Sequence, residues 1–104
     1  METLVNSAEQ VVKAHNNALA ELFRVVNRLT DGGKKKIIFS GLKIYPNNIN
    51  DWEMIKELWI ADYKELYVHC KGNYWEGDSA VRTLTTEQVL AIIDRISDND
   101  YQIN

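Results

Sequence analysis

The chain has 104 residues, 45% apolar and 26% charged, enough to bury one core without disulfides or metal staples and too ordinary for wholesale disorder. It has no apolar run of membrane-spanning length and no basic-then-apolar leader, so a single cytoplasmic domain over residues 1–104 is expected. The net charge of −3 is unevenly spread: residues 34–50 hold four lysines and no acid, whereas residues 51–104 hold eleven acids and five basic residues, which disfavours indiscriminate phosphate binding and favours a basic partner.

Residues 4–30 carry the one long hydrophobic period. Ala8, Val12, His15, Leu19, Leu22, Val26 and Leu29 alternate at spacings of four and three, with Val5 behind them, which predicts a helix stripe. Val11, Ala18, Phe23 and Val25 widen it to a face that suits packing on a sheet. Thr3, or Asn6 with Glu9, supplies a start signal, and Asp31-Gly32-Gly33 supplies the stop, where positive φ is easily taken. Straight, such a helix runs roughly 40 Å at about 1.5 Å per residue, against a radius of gyration of about 13 Å for a globule of this size. Either it bends, at His15, Asn16 and Asn17, or something covers the overhang. The expected cover is the chain's own sheet, with a second copy along Val12, His15, Leu19, Leu22 and Val26 as the other solution, polar His15 setting its register.

Residues 34–45 read as a strand in which Ile38, Leu42 and Ile44 share a face and Gly41 marks a bulge or a close backbone approach. Residues 46–50 are a loop. Residues 51–62 fit either a helix, opened by a capping box at Asn50 and Glu53, or a strand, and the strongly β run Leu66-Tyr67-Val68-His69-Cys70 favours strand, turn, strand. Lys71-Gly72-Asn73 and Glu76-Gly77-Asp78 read as turns, Tyr74-Trp75 as an extension of a strand edge, and residues 79–83 as a short last strand. A closing helix begins at Thr85, where Gln88 completes a capping box and Leu84 with Val89 a hydrophobic staple. Val89, Ile92, Ile93 and Ile96 make its apolar face, and residues 97–100 stop it. The fold class is α+β: a long N-terminal helix, a three- to four-stranded mostly antiparallel sheet and a C-terminal helix, one sheet face being open if both helices take the other.

No catalytic, metal or cofactor set emerges. His69 and Cys70 are adjacent in a strand and point to opposite faces, so they cannot serve as nucleophile and base. Two histidines and one cysteine fall short of a structural zinc set, and Gly32-Gly33 lacks the spacing of a phosphate loop. The lone Cys70 fits a buried thiol in a reducing compartment. The aromatics are more telling. Trp52, Trp59, Tyr63, Tyr67, Tyr74 and Trp75, with Glu57 and Glu65, lie between the helices and are the candidate partner-binding residues, because rings are over-represented among interface anchors. The expected function is therefore non-enzymatic protein binding, in the form of an inhibitor or immunity-type partner of a basic protein, with self-association through the first helix. A nucleic-acid-binding regulator using Lys34, Lys35, Lys36 and Lys43 beside the rings is the alternative, and an enzyme without a recognisable motif is third.

Overall fold

The computed structural model describes residues 2–44, 53–61 and 64–104, with side chains described from residue 8 onward in the first helix. Tyr45, the 46–50 loop, Trp52 and Tyr63 lie outside the described residues.

Helix α1 spans Glu2–Leu29 without interruption at Asn16 and Asn17. Both Thr3 and Asn6 lie inside its bounds. The C-terminal stop forms as read. Asp31, Gly32 and Gly33 all take positive φ. Buried Thr30 donates its hydroxyl to the Val26 carbonyl at 2.7 Å, which also accepts from the Thr30 amide, and the same hydroxyl oxygen accepts from the Gly33 amide at 3.2 Å, tying the turn to the helix end.

Among the described residues five strands follow in the spatial order β4-β3-β2-β1-β5, every neighbouring pair antiparallel. They are β1 (Ile37–Ile44), β2 (Glu53–Ile60), β3 (Leu66–Gly72), β4 (Glu76–Ala80) and β5 (Gln102–Ile103). Residues 53–60 are thus strand rather than helix. Four local readings are corrected. Glu76-Gly77-Asp78 is the body of β4, not a turn, because ladder pairing with β3 outweighs its poor β propensity, and Val81–Thr83 is a single 3-10 turn instead of strand. Tyr74 falls in the β3–β4 turn. Ile38 does not share a face with Leu42 and Ile44: the register of β1 shifts between Ile38 and Leu42, so Ile37 and Phe39 point inward before Gly41, and Leu42 and Ile44 after it.

Helix α2 spans Thr86–Ser97 and opens on the expected box, Thr85 accepting from the Gln88 amide while the Gln88 side chain accepts from the Thr85 amide. At its other end, Arg95 pairs with Asp100 at 3.1 Å and reaches the Gly41 carbonyl, linking the helix to the bulge.

One core cluster joins Leu22 and Val26 of α1 and Val89, Ile92 and Ile96 of α2 to inward residues of β1, β2 and β3, among them Ile37, Ile55, Leu58 and Val68. Both helices therefore lie on the same side of the sheet. Each fully buried Leu, Ile or Val contributes roughly 1.5–3 kcal/mol relative to exposure, which holds that side shut. The residues facing the other way are half-buried or exposed. None of the helices among the described residues is long and apolar enough to cross a membrane.

Candidate partner-binding face of the sheet

Strand pairing builds the open face row by row. Trp59 of β2 stands directly opposite Tyr67 of β3, and beside this pair a second row runs Ile38, Glu57, His69, Asp78 across four strands. Met54, Lys71 and Glu76 form a third. The β2 register shifts between Ile55 and Glu57, and this bulge keeps Ile55 and Leu58 inward while Glu57 and Trp59 face outward.

The Trp59 and Tyr67 rings stack with centroids 6.3 Å apart and planes at 21°. A stack of this kind is worth ~0.5–1.5 kcal/mol beyond the area it covers, so the two rings form a rigid platform. The Lys36 ammonium sits 5.0 Å from the Trp59 ring centroid and 3.9 Å from a Glu57 carboxylate oxygen. Ring and carboxylate together make a seat for a cation.

His69 is held from both sides, Nδ1 at 2.8 Å from Asp78 and Nε2 at 3.2 Å from Glu76. A neutral imidazole carries only one N–H, so both bonds can be donated only by the imidazolium. The Asp78 and Glu76 hydrogen bonds accordingly raise the His69 pKa above its ordinary value, against a smaller opposing effect of desolvation, and the His69 bond lowers that of Glu76. Lys56 approaches Glu76 at 3.9 Å. Between these charges and the bulge of β1 lies a shallow pocket of about 460 Å³ with Ile38 and Met54 among its walls, bordered by Ser40, Lys56, Glu57 and His69.

Of the sequence candidates, the fold brings Trp59, Tyr67 and Glu57 together. Tyr74 and Trp75 are set apart at the β3–β4 end, Tyr74 almost wholly in solvent and Trp75 against Gly77. Glu65 is on the helical side, ion-paired with Arg82 beside Leu19 and Phe23 of α1. Trp52 and Tyr63 lie outside the described residues. The four lysines do not converge: Lys34 pairs with Asp31, Lys36 joins the Trp59 platform, and Lys43 is at the far end of β1 near Glu87. The acidic character expected around the rings is also muted, since Glu57, Glu76 and Asp78 each have a cationic neighbour.

Sequence reasoning missed His69 as a member of this face and set Lys36 beside the rings only in the nucleic-acid alternative. The two-residue period of β3 already put His69 on the side of Tyr67, but its clamp needed the β4 register, which the turn-like composition of residues 76–78 concealed. Cys70, the other candidate for chemistry, is fully buried beneath the sheet, and desolvation pushes its thiol up to about 12, so it is held protonated. Among the described residues no three His, Cys, Asp or Glu side chains are grouped to hold a metal ion.

Of the self-association candidates, Leu22 and Val26 are consumed by the chain's own core and Leu19 packs against it. His15 is half-buried, its Nδ1 2.7 Å from the Thr86 hydroxyl. Val12 alone stands in solvent, at 59% exposure.

Comparison with protein-family models, curated proteins and solved structures yields no match, so the face is interpreted from its geometry.

Proposed function

We propose that this chain is a small binding module, not an enzyme, that docks a basic protein on the open face of its sheet in the manner of an inhibitor or immunity-type partner. The observation that carries the reading is the Trp59–Tyr67 platform with the Glu57 carboxylate beside it, on the side of the sheet that neither helix takes. Stacked rings offer a large apolar area whose ordering is already done, as interface anchors require. Lys36 marks the kind of group the platform accepts, and a partner's arginine would compete for the same seat with the advantage of a flat guanidinium that stacks on a ring and forks onto a carboxylate. The net charge of −3 steers such a partner inward. The same reading places the protein in the cytoplasm, where Cys70 remains a thiol.

Affinity capture from an extract of the native host tests this. The expected catch is a basic protein whose retention falls about tenfold or more with Glu57→Lys, a change worth ~1.4 kcal/mol or more. Recovery of no protein partner, or of one that binds the charge-reversed variant equally well, overturns the reading.

A further inference from the structure

Strand β4 is an edge of the sheet, and among the described residues no strand lies beyond it. The hairpin fixes where its backbone groups point. The Gly72 amide donates to the Trp75 carbonyl at 2.8 Å, which makes these two a hydrogen-bonded pair, and the unbroken register behind them makes Cys70–Gly77 and Val68–Ser79 the next two. Glu76, Asp78 and Ala80 fall in the alternate pairs, so their N–H and C=O groups turn away from β3 to the edge. The Ala80 carbonyl accepts the Thr83 hydroxyl at 2.7 Å, which leaves Glu76 and Asp78 each with one donor and one acceptor to offer. Their carboxylates stand at alternate positions on the open face, with side chains 51% and 57% exposed, and the cations that face them, His69 and Lys56, lie behind on β3 and β2. On the helical side Gly77 has no side chain, and the Trp75 ring comes within 3.5 Å of where its Cβ would stand.

We propose that β4 takes up an extended basic segment as a sixth, antiparallel strand, in the pattern basic, apolar, basic. Residues opposite Glu76 and Asp78 share their face, where opposite charges directly across a pair attract and like charges repel. The residue between them turns to the helical side, crosses Gly77 where no Cβ obstructs it, and lies on the Trp75 ring. Edge strands are commonly guarded by charge, lysine above all. Here the guard is acidic only, so it admits a basic strand and turns away a second copy: pairing β4 along its full length with itself sets Asp78 directly against Asp78. The inference deepens the proposed function by giving form to the basic partner, and rests on that reading only for which protein carries the segment.

NMR titration of the wild-type protein with the capped peptide Thr-Lys-Thr-Lys-Val-Lys-Thr-Lys reads the edge without the native partner. Saturable shifts centred on β4 and Trp75 are expected, with a Kd of about 1 mM. At 5 mM peptide, mass action should slow exchange of the Glu76 and Asp78 amides about sixfold. N-methylation of the two lysines flanking the valine should abolish binding, because their amides face β4, whereas N-methylation of the valine should not. Asp78→Lys should weaken binding about fivefold; if that variant fails to fold, the N-methylated peptides on the wild type decide. No saturable shift at β4 up to 5 mM, binding indifferent to the N-methyl groups, or equal binding of the peptide with glutamate for lysine overturns the proposal. A partner captured through Glu57 while the peptide leaves β4 untouched sinks this inference alone, and peptide binding with no partner captured sinks the binding function alone.

Discussion

Leu58 and Trp59 are consecutive residues of one strand, yet they belong to different parts of the molecule. Leu58 points down into the cluster formed with both helices and is fully buried, whereas Trp59 points up, half-buried, onto Tyr67 and beneath Lys36. The two faces of the sheet are thus built from different interactions. The covered face is held by apolar burial, which is non-directional and large; the open face is organised by a ring stack and charge pairs, which are directional and individually small at a solvated surface. Stability should therefore be concentrated on one side and recognition on the other.

The largest expected effect breaks the covered side. Leu58→Ala removes a fully buried side chain from the centre of the cluster and should cost ~2–5 kcal/mol in denaturant-measured unfolding free energy. A cost near zero would mean that the core is not arranged as described.

Next comes the hinge between the faces. Gly41 has φ +102°, outside the range comfortable for an L side chain, and an added Cβ would stand 3.0 Å from the Met54 sulfur. Gly41→Ala should lower stability by about 1–3 kcal/mol. It should also disturb the Ile38–Met54 pocket, because the bulge is what sends Ile38 to the open face while Leu42 goes to the core. Unchanged stability would show that β1 runs without the shift.

The smallest effect belongs to the His69 clamp. A histidine whose pKa is raised in the folded state contributes stability that is fully present below its unfolded value, about 6.5, and is lost as pH rises through the folded value. Glu76, lowered, contributes above about 4.5 and loses that contribution as pH falls through its folded value. Both contributions are complete between those two ordinary values, so wild type minus His69→Gln should be largest there and shrink towards pH 8. The direct check is NMR titration of the imidazole. A His69 that titrates at or below the ordinary histidine range would remove the clamp from the open face.

Much of the covered face could be read from residues alone. The stripe of α1, its Gly32-Gly33 stop, the Thr85–Gln88 box and the apolar run of β3 are local patterns whose physics acts within a few residues. The open face was legible only in part. Strand alternation sets Trp59 opposite in facing to Leu58 and Tyr67 opposite to Leu66 and Val68, but alternation fails at a bulge, which is why it puts Ile38 on the wrong side. The seat of Lys36 over Trp59 and the grip of Asp78 on His69 depend on register between strands, which no local pattern encodes. Strand β5 is two residues long and is held by pairing with β1, including reciprocal bonds between Lys36 and Asn104, so it has no period to detect.

The most direct test places the adjacent pair side by side: unfolding and capture from native-host extract, measured on the same preparations of Leu58→Ala and Trp59→Ala. The expected result is a crossed pattern. Leu58→Ala loses several kcal/mol yet still captures the partner at temperatures where it is folded, whereas Trp59→Ala keeps most of its stability and loses capture by about thirtyfold, the ~2 kcal/mol expected of an anchor residue. A folded Trp59→Ala that captures as the wild type does would contradict the assignment of recognition to the open face.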